Sequence, residues 1–99
     1  MKIAELKPGM TRINVEGKVV EKSQPIEVVT RRGIARVATV LLEDDSGKII
    51  LSLWEENIDM VSVGDRIRVE NGYVSSFRGR TQLNLGFYGK LTIVEKANK

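Results

Sequence analysis

Short runs of β-branched and aliphatic residues recur along the chain, and groups of turn-forming residues separate them. Asp45-Ser46-Gly47 and Asn71-Gly72 are two such separators, because Gly, Asn, Asp and Ser favour tight turns. Regular spacing of short strands is typical of an all-β barrel or sandwich. The pattern predicts strands at Ile13 to Lys22, Ile34 to Glu43, Lys48 to Trp54, Asp65 to Val74 and Thr81 to Leu85, with a closing segment at Leu91 to Val94.

The segment between the third and fourth predicted strands, EENIDMVSV, has a different pattern. Ile58 and Val61 are three residues apart in polar surroundings, a spacing that permits one or two helical turns. Five strands with a short helix between the third and the fourth is the order of an OB-fold barrel. A chain of 99 residues with 41% hydrophobic residues supplies one core. The sequence therefore predicts a single all-β domain over residues 1–99, a five-stranded OB-fold barrel.

Alternation within the third predicted strand, KIILSLW, separates an inner from an outer face. Its aliphatic residues share one face and are expected in the core: Ile49, Leu51 and Leu53. Trp54 falls on the other face together with Lys48 and Ser52. The only tryptophan of the chain is thus predicted on the polar side of the sheet.

The fifth predicted strand, RTQLNLG, alternates in the same way. Residues expected to face the core are Thr81, Leu83 and Leu85. Arg80, Gln82 and Asn84 then face outward, where their side chains can form hydrogen bonds with a ligand.

Two further aromatic side chains are candidates for the outer surface. Tyr73 has the parity of the inward Ile67 and Val69, so it faces out only if Asn71-Gly72 introduces a β-bulge. Phe77 lies in the turn SSFRGR, from which a barrel core is hard to reach, and an exposed ring there indicates a binding contact. Phe87 and Tyr88 are predicted to help close the barrel, and a contact with ligand is the alternative for Tyr88.

The distribution of charge is more informative than the net charge of +3. Acids cluster at residues 43–45 and again at Glu55, Glu56 and Asp59, whereas residues 71–94 contain no acid. Exposed rings beside arginines suit base stacking in a cationic groove, because a ring holds any base while guanidinium groups attract phosphates. Carboxylates are absent where a phosphate backbone would lie.

In an OB-fold the ligand crosses strands 2 and 3 between the loop that joins strands 1 and 2 and the loop that joins strands 4 and 5. The first loop carries Arg31 and Arg32, with Arg36 just beyond it. The second carries Arg78 and Arg80 beside Phe77. We therefore expect phosphate or polar contacts from these loops and from the outward strand residues Lys48, Ser52, Gln82 and Asn84.

Composition excludes several kinds of chemistry. The chain has no cysteine and no histidine, so disulfides, the usual zinc and iron-sulfur ligand sets and Ser-His or Cys-His nucleophiles cannot form. EDDSG is read as an acidic hairpin turn, not a metal loop, because the other ligands of an EF-hand are missing. No enzyme activity, metal or cofactor is expected. The absence of a signal-peptide or membrane-span pattern predicts an intracellular protein, nucleoid-associated or nuclear, with no membrane partner.

The chain resembles the single-OB-fold single-stranded DNA-binding proteins of archaea and their eukaryotic relatives, which belong with replication protein A. The resemblance is carried by LKPGM, TRRG, LEDDSGKIILSLWEE and VGDRIRVENGYVSSFRGRTQLNLG, and so covers nearly the whole domain. In that family three aromatic residues stack on bases, and the matching positions are Trp54, Tyr73 and Phe77. The resemblance implies an outward Tyr73. Some relatives have a further stacking ring at the position of Asn84.

Three classes of function follow. The first is a non-catalytic, largely sequence-tolerant binder of single-stranded DNA in replication, repair or recombination. The second is an RNA- or tRNA-binding OB module, because stacking and charge do not separate RNA from DNA. The third is a subunit whose OB-fold face binds a protein within a replication or repair complex.

Overall fold

The computed structural model describes residues 1–86 and 88–97. The prediction made for Phe87 falls outside these residues. After a short 3₁₀ turn at Ile3–Glu5, the elements in chain order are β1 (Ile13–Lys22), β2 (Ile26–Thr30), β3 (Gly33–Asp44), β4 (Gly47–Trp54), α1 (Glu56–Met60), β5 (Arg66–Phe77), β6 (Arg80–Asn84) and β7 (Lys90–Glu95).

Five of these strands form a closed ring in the order β1-β3-β4-β6-β5, because β1 also pairs with β5. The β4–β6 pair is parallel and the other pairs of the ring are antiparallel. β2 lengthens the sheet beside β3, and β7 pairs with β5. The predicted five-stranded OB-fold barrel is confirmed, with α1 between its third and fourth strands.

The core is built from the inward-facing residues of the strands, in which inward and outward positions alternate. Ile49, Leu51 and Leu53 of β4 are buried, as the alternation predicts. They face buried residues of β3 across the register pairs Leu42–Ile49, Val40–Leu51 and Ala38–Leu53. Each buried aliphatic side chain stabilises the fold by about 1.5 to 3 kcal/mol, so these inner rows hold the outer surface of the same strands in place.

Three local predictions need correction. β2 was not predicted, because its residues IEVVT are largely exposed on both faces and do not alternate. Thr81 is exposed, since it lies one pair from the hairpin turn, where the strands have left the core. Tyr88 is 80% exposed, so its ring does not close the barrel.

EDDSG forms the hairpin turn between β3 and β4 that the sequence predicts. Asp44 Oδ1 accepts hydrogen bonds from the Ser46 hydroxyl and from the backbone N–H groups of Ser46 and Gly47, while Oδ2 accepts one from Ile3. Desolvation raises the pKa of Asp44, but these hydrogen bonds outweigh it and lower the pKa to about 2. The ionised carboxylate therefore fastens the N-terminal segment to the barrel.

Asp65 fastens the other end of the chain. Its buried carboxylate accepts hydrogen bonds from the backbone N–H groups of Ser62 and Ala97 and from the Lys96 ammonium. Desolvation raises the pKa of Asp65, and the hydrogen bonds to the carboxylate outweigh it, so the pKa is lowered.

In the described ranges no helix is long and apolar enough to cross a membrane.

Candidate nucleic-acid interface

The outward residues of β3, β4, β6 and β5 form one continuous surface, called here the outer face. Cross-strand register arranges it in rows, because paired residues point to the same side of a sheet. The rows are Val37–Trp54, Thr39–Ser52–Asn84–Tyr73, Leu41–Ile50–Gln82–Ser75 and, at the hairpin end, Arg80–Phe77. All three predicted stacking residues therefore lie on the same surface.

Trp54 is the last residue of β4 and is 43% exposed. Its parity prediction is confirmed. The next residue, Glu55, has a φ of 53°, which turns the chain out of the sheet and into α1. Glu55 is held by Arg36, whose backbone N–H donates to Glu55 Oε1 at 2.8 Å and whose carbonyl accepts from the Glu55 N–H at 3.1 Å. These two hydrogen bonds fix the end of β4, where the Trp54 indole lies.

Tyr73 is 42% exposed because β5 contains the bulge on which its outward position depends. The step from Ile13 to Val15 in β1 is matched by a longer step from Val69 to Gly72 in β5, so β5 holds one extra residue. Asn71 has a φ of 56°, a conformation that asparagine tolerates, and its N–H donates to the Asn14 side chain at 2.9 Å. The bulge reverses the alternation and turns Tyr73 outward.

Phe77 is 60% exposed and ends β5, whereas the sequence placed it within the turn. The turn itself is Arg78-Gly79, with φ values of 52° and 80°, as a two-residue type I′ hairpin requires. The Arg78 guanidinium carbon lies 5.2 Å from the centre of the Phe77 ring, within cation–π range. One cation is thus already stacked on this ring.

The polar side chains of β6 are hydrogen-bonded across the outer face. The Gln82 amide donates to the Ser52 hydroxyl, and Asn84 Nδ2 donates to the Ser75 hydroxyl at 2.9 Å. Ser52 lies on the predicted face but is buried, contrary to the exposed position that parity suggests. These hydrogen bonds hold four polar side chains in place between the aromatic rings. We call this group the polar floor of the outer face: Ser52, Ser75, Gln82 and Asn84.

The predicted cationic residues divide into two groups. Arg36 donates to Asp59 at 3.0 Å, and Lys48 lies 3.6 Å from Glu43, so both are already ion-paired. The others are exposed and form no ion pair with any described carboxylate: Arg31, Arg32, Arg78 and Arg80. Arg31 and Arg32 form the tip of the β2–β3 hairpin, while Arg78 lies in the β5–β6 turn and Arg80 begins β6.

The structure adds two residues that the sequence did not indicate. Ile26 pairs with Val37, which pairs with Trp54, so both aliphatic side chains share the side of the indole. The β-branched run IEVVT was the available signal, but only the cross-strand register shows which way it points. A groove of about 360 Å³ continues the outer face over Thr39, Ile50 and Arg80, and Glu21 and Lys22 also line it.

Residues 6–93 match the family described as "Single-stranded DNA binding protein Ssb-like, OB fold". The chain belongs to this Ssb-like family. The sequence-based resemblance to single-OB-fold single-stranded DNA-binding proteins is therefore confirmed over nearly the whole domain.

Named proteins agree with the Ssb-like assignment. The chain is 30% identical to the single-stranded DNA binding protein Ssb of Saccharolobus solfataricus over 90 residues, 91% of this chain and 61% of that protein. It is 32% identical to replication factor A of Methanothermobacter thermautotrophicus over 73 residues, 73% of this chain and 9% of that protein. The chain thus spans less than two thirds of either relative.

A solved structure also resembles this Ssb-like chain. The replication factor A related protein from Methanobacterium thermoautotrophicum has a TM-score of 0.78 and 28% sequence identity. The match covers 100% of this chain and 94% of that structure.

Proposed function

We propose that the protein binds single-stranded DNA, largely without regard to sequence, by stacking bases on Trp54, Tyr73 and Phe77. One observation carries the proposal: three half-exposed rings lie on a single strand-built surface, and the arginines at its two ends have no ion-pair partner among the described residues. Membership of the Ssb-like family supports it. The protein acts as a binder, without catalysis.

The spacing of the rings supports contacts with several bases. Tyr73 and Phe77 are four residues apart on β5, which separates them by about 13 Å along a strand. Trp54 belongs to another strand, with β6 between it and β5. Rings this far apart stack on different nucleotides, and each such contact contributes about 1 to 3 kcal/mol.

Electrostatics supports a path for the phosphate backbone between the two hairpins. Arg31 and Arg32 stand at one end of the outer face, and Arg78 and Arg80 stand at the other. A guanidinium without a carboxylate partner can neutralise a phosphate and release counterions without first breaking an ion pair. We therefore assign the primary phosphate contacts to these arginines and a secondary role to Arg36 and Lys48.

The polar floor supports tolerance of sequence. Gln82 and Asn84 already donate hydrogen bonds to Ser52 and Ser75, which stabilise the side-chain amides within the protein. Base identity is read mainly by hydrogen bonds to base edges, whereas every base has a face on which a ring can stack. Stacking then provides most of the affinity, with little discrimination between bases.

The biological setting is part of the same proposal. We assign the protein to DNA replication, repair or recombination, where single strands are exposed, with protein partners in those complexes. The names of the Saccharolobus and Methanothermobacter relatives support this assignment.

Parallel titrations test the proposal, with Trp54 emission as the signal. The probes are a mixed-sequence DNA oligomer, an RNA oligomer of that sequence, oligothymidine and the blunt DNA duplex. We expect quenching and tight binding with both single-stranded DNAs and much weaker binding to the duplex, because a paired base cannot stack on a ring.

Other results would redirect the assignment. Tighter binding to the RNA would indicate an RNA-binding module that uses 2′-hydroxyl contacts. Trp54 emission unaffected by every oligonucleotide would contradict nucleic-acid binding at the outer face and favour a protein-binding subunit.

A further inference from the structure

Gly86, just beyond β6, lies directly against Tyr73. A Cβ atom added at Gly86 would stand 2.9 Å from Tyr73 Cε1 and 3.0 Å from Tyr73 Cδ1. Real Cβ atoms almost never approach a carbon so closely, so the ring and a side chain at this position cannot both stay where they are. The backbone of Gly86 therefore forms a wall along the Cδ1–Cε1 edge of the tyrosine ring.

Other contacts hold the segment that carries this wall. Leu85, immediately before Gly86, is partly buried and packs against the core. Beyond it, Asn71 Nδ2 donates to the Tyr88 carbonyl at 3.4 Å, which ties the segment to the bulge residue of β5. The wall and the bulge that turns Tyr73 outward are thus parts of one connected local structure.

Backbone conformation alone does not account for the contact. Gly86 has a φ of 71°, a region that favours glycine. Gly9 also has a positive φ, of 97°, yet a Cβ there would have no neighbour within 4 Å. Gly86 therefore differs from Gly9 in having an aromatic side chain of the outer face against it.

We propose that Gly86 is a positioning residue that sets the orientation of the Tyr73 ring for stacking on a base. The inference rests on the function proposed above and goes beyond it, because Gly86 itself needs no contact with DNA. With Gly86 in place, the Cδ1–Cε1 edge of the ring is braced, and the ring keeps the orientation in which a face can stack on a base. A side chain at residue 86 pushes the ring out of that orientation.

The test is a double-mutant cycle in single-strand binding. Gly86→Ala, Tyr73→Ala and the double variant are compared with the wild-type protein by oligothymidine titration. Gly9→Ala is the matched control, since it introduces the same methyl group at a positive φ in open space. Tyr73→Phe retains a ring without the hydroxyl. We expect Gly86→Ala to weaken binding about 5-fold or more, up to the effect of Tyr73→Ala, as for loss of one stacked base.

The decisive result is the failure of additivity. Gly86→Ala should have no further effect in the Tyr73→Ala variant, whereas it should weaken the Tyr73→Phe variant as much as the wild type. The salt dependence of binding should not change, because no phosphate contact is altered. Equal weakening in the wild-type and Tyr73→Ala backgrounds, or an affinity like that of Gly9→Ala, would overturn the proposal.

Folding is followed in the same series by thermal unfolding. If Gly86→Ala alone is too unstable to titrate, the contact predicts that Tyr73→Ala restores stability to the double variant. An equally unstable double variant would contradict the contact. Failure of the proposed function gives a different result: the wild type does not bind, or Tyr73→Ala binds as tightly as wild type. If Tyr73→Ala weakens oligothymidine binding but Gly86→Ala does not, only the role inferred for Gly86 is contradicted.

Discussion

The outer face and a second surface, around β1, present arginines in different surroundings. A groove of about 790 Å³ runs along β1 and is lined in part by Glu16, Arg66 and Arg68. There Glu16 Oε1 lies 3.2 Å from Arg68 Nη2, and Glu16 Oε2 lies 3.8 Å from Arg66 Nη1. One carboxylate thus forms ion pairs with two guanidinium groups. At the ends of the outer face, Arg78 and Arg80 have no ion-pair partner among the described residues.

This difference shows why the larger groove is the poorer candidate for a polyanion. Its cations are partly neutralised, and Asp44 and Asp45 also line it. A phosphate entering the β1 groove would meet carboxylates and compete with existing ion pairs. Within the part of the chain that the structure describes, the outer face offers guanidinium groups without carboxylate partners, together with exposed rings. Availability of charge, not the size of the cavity or the net charge, therefore distinguishes the two surfaces.

The largest expected effects separate ligand binding from stability within β4. Trp54→Ala should weaken binding to oligothymidine by about 1 to 3 kcal/mol and leave the fold intact, because the ring is a stacking platform outside the core. Leu53→Ala, one residue away, should instead lower the free energy of unfolding by about 2 to 5 kcal/mol. Fluorescence titration and chemical denaturation measure the two quantities.

Met60→Ala is the control for Trp54, since Met60 is an exposed apolar residue of α1 away from the outer-face rows. It should change neither binding nor stability appreciably. A Trp54→Ala variant that loses about 3 to 5 kcal/mol of stability and binds normally would show that the indole is structural.

The next effect concerns acid stability near the β1 groove. Because folding lowers the pKa of Asp44 to about 2, its stabilisation is present above the unfolded value near 4 and is lost as pH falls from about 4 to about 2. The loss amounts to at most about 2 kcal/mol. Asp44→Asn should reduce the acid sensitivity in this window, as measured by denaturation at several pH values.

Asp65, whose pKa is also lowered, should maintain the remaining acid sensitivity in the Asp44→Asn variant. At neutral pH the same variant should bind oligothymidine like the wild type, since Asp44 is not on the outer face. A loss of affinity at neutral pH would mean that the two surfaces are coupled.

The smallest expected effect is on the salt dependence of binding, which compares Arg78 and Arg80 with Arg66 and Arg68. For the wild type we expect log affinity to fall with log salt at a slope of roughly −2 to −4, from about three to five phosphate contacts. Arg78→Ala should flatten the slope by about 0.7 or less, and adding Arg80→Ala should flatten it further by a similar amount.

The double variant Arg66→Ala/Arg68→Ala removes the same number of cations from the β1 groove. It should leave the slope of single-strand binding unchanged within the precision of the titration. Equal slopes for the two double variants would contradict the assignment of phosphate contacts to the β5–β6 turn.

Local alternation predicted the parts of the fold where each strand has one buried face. Trp54 was placed outward because Leu51 and Leu53 define the inner side of β4. Tyr73 could not be placed by parity, since its orientation depends on an extra residue in β5 that appears only when β5 is paired with β1. The resemblance to a family predicted the outward ring correctly, and the bulge supplies the physical reason.

Long-range features were out of reach for the same reason. β2 has no buried face to create a pattern, and the burial of Ser52 arises from Gln82 on a strand distant in sequence. The ion pair of Arg36 with Asp59 likewise joins residues that only the fold brings together. Composition predicted which residue types a polyanion would need, but not which guanidinium groups already had partners.

The attachment of β2 along one side only has a consequence for hydrogen exchange. β2 pairs with β3 alone, whereas every strand of the closed ring has at least two neighbours. Breaking the β2–β3 pairing exposes little apolar surface, so its amide protons should exchange through local opening at a small fraction of the free energy of unfolding. The parts of the ring strands that are paired within the ring should exchange only on global unfolding. Arg31 and Arg32 therefore belong to a hairpin that opens separately from the ring. It can adjust to the path of a bound DNA strand while Trp54 stays fixed.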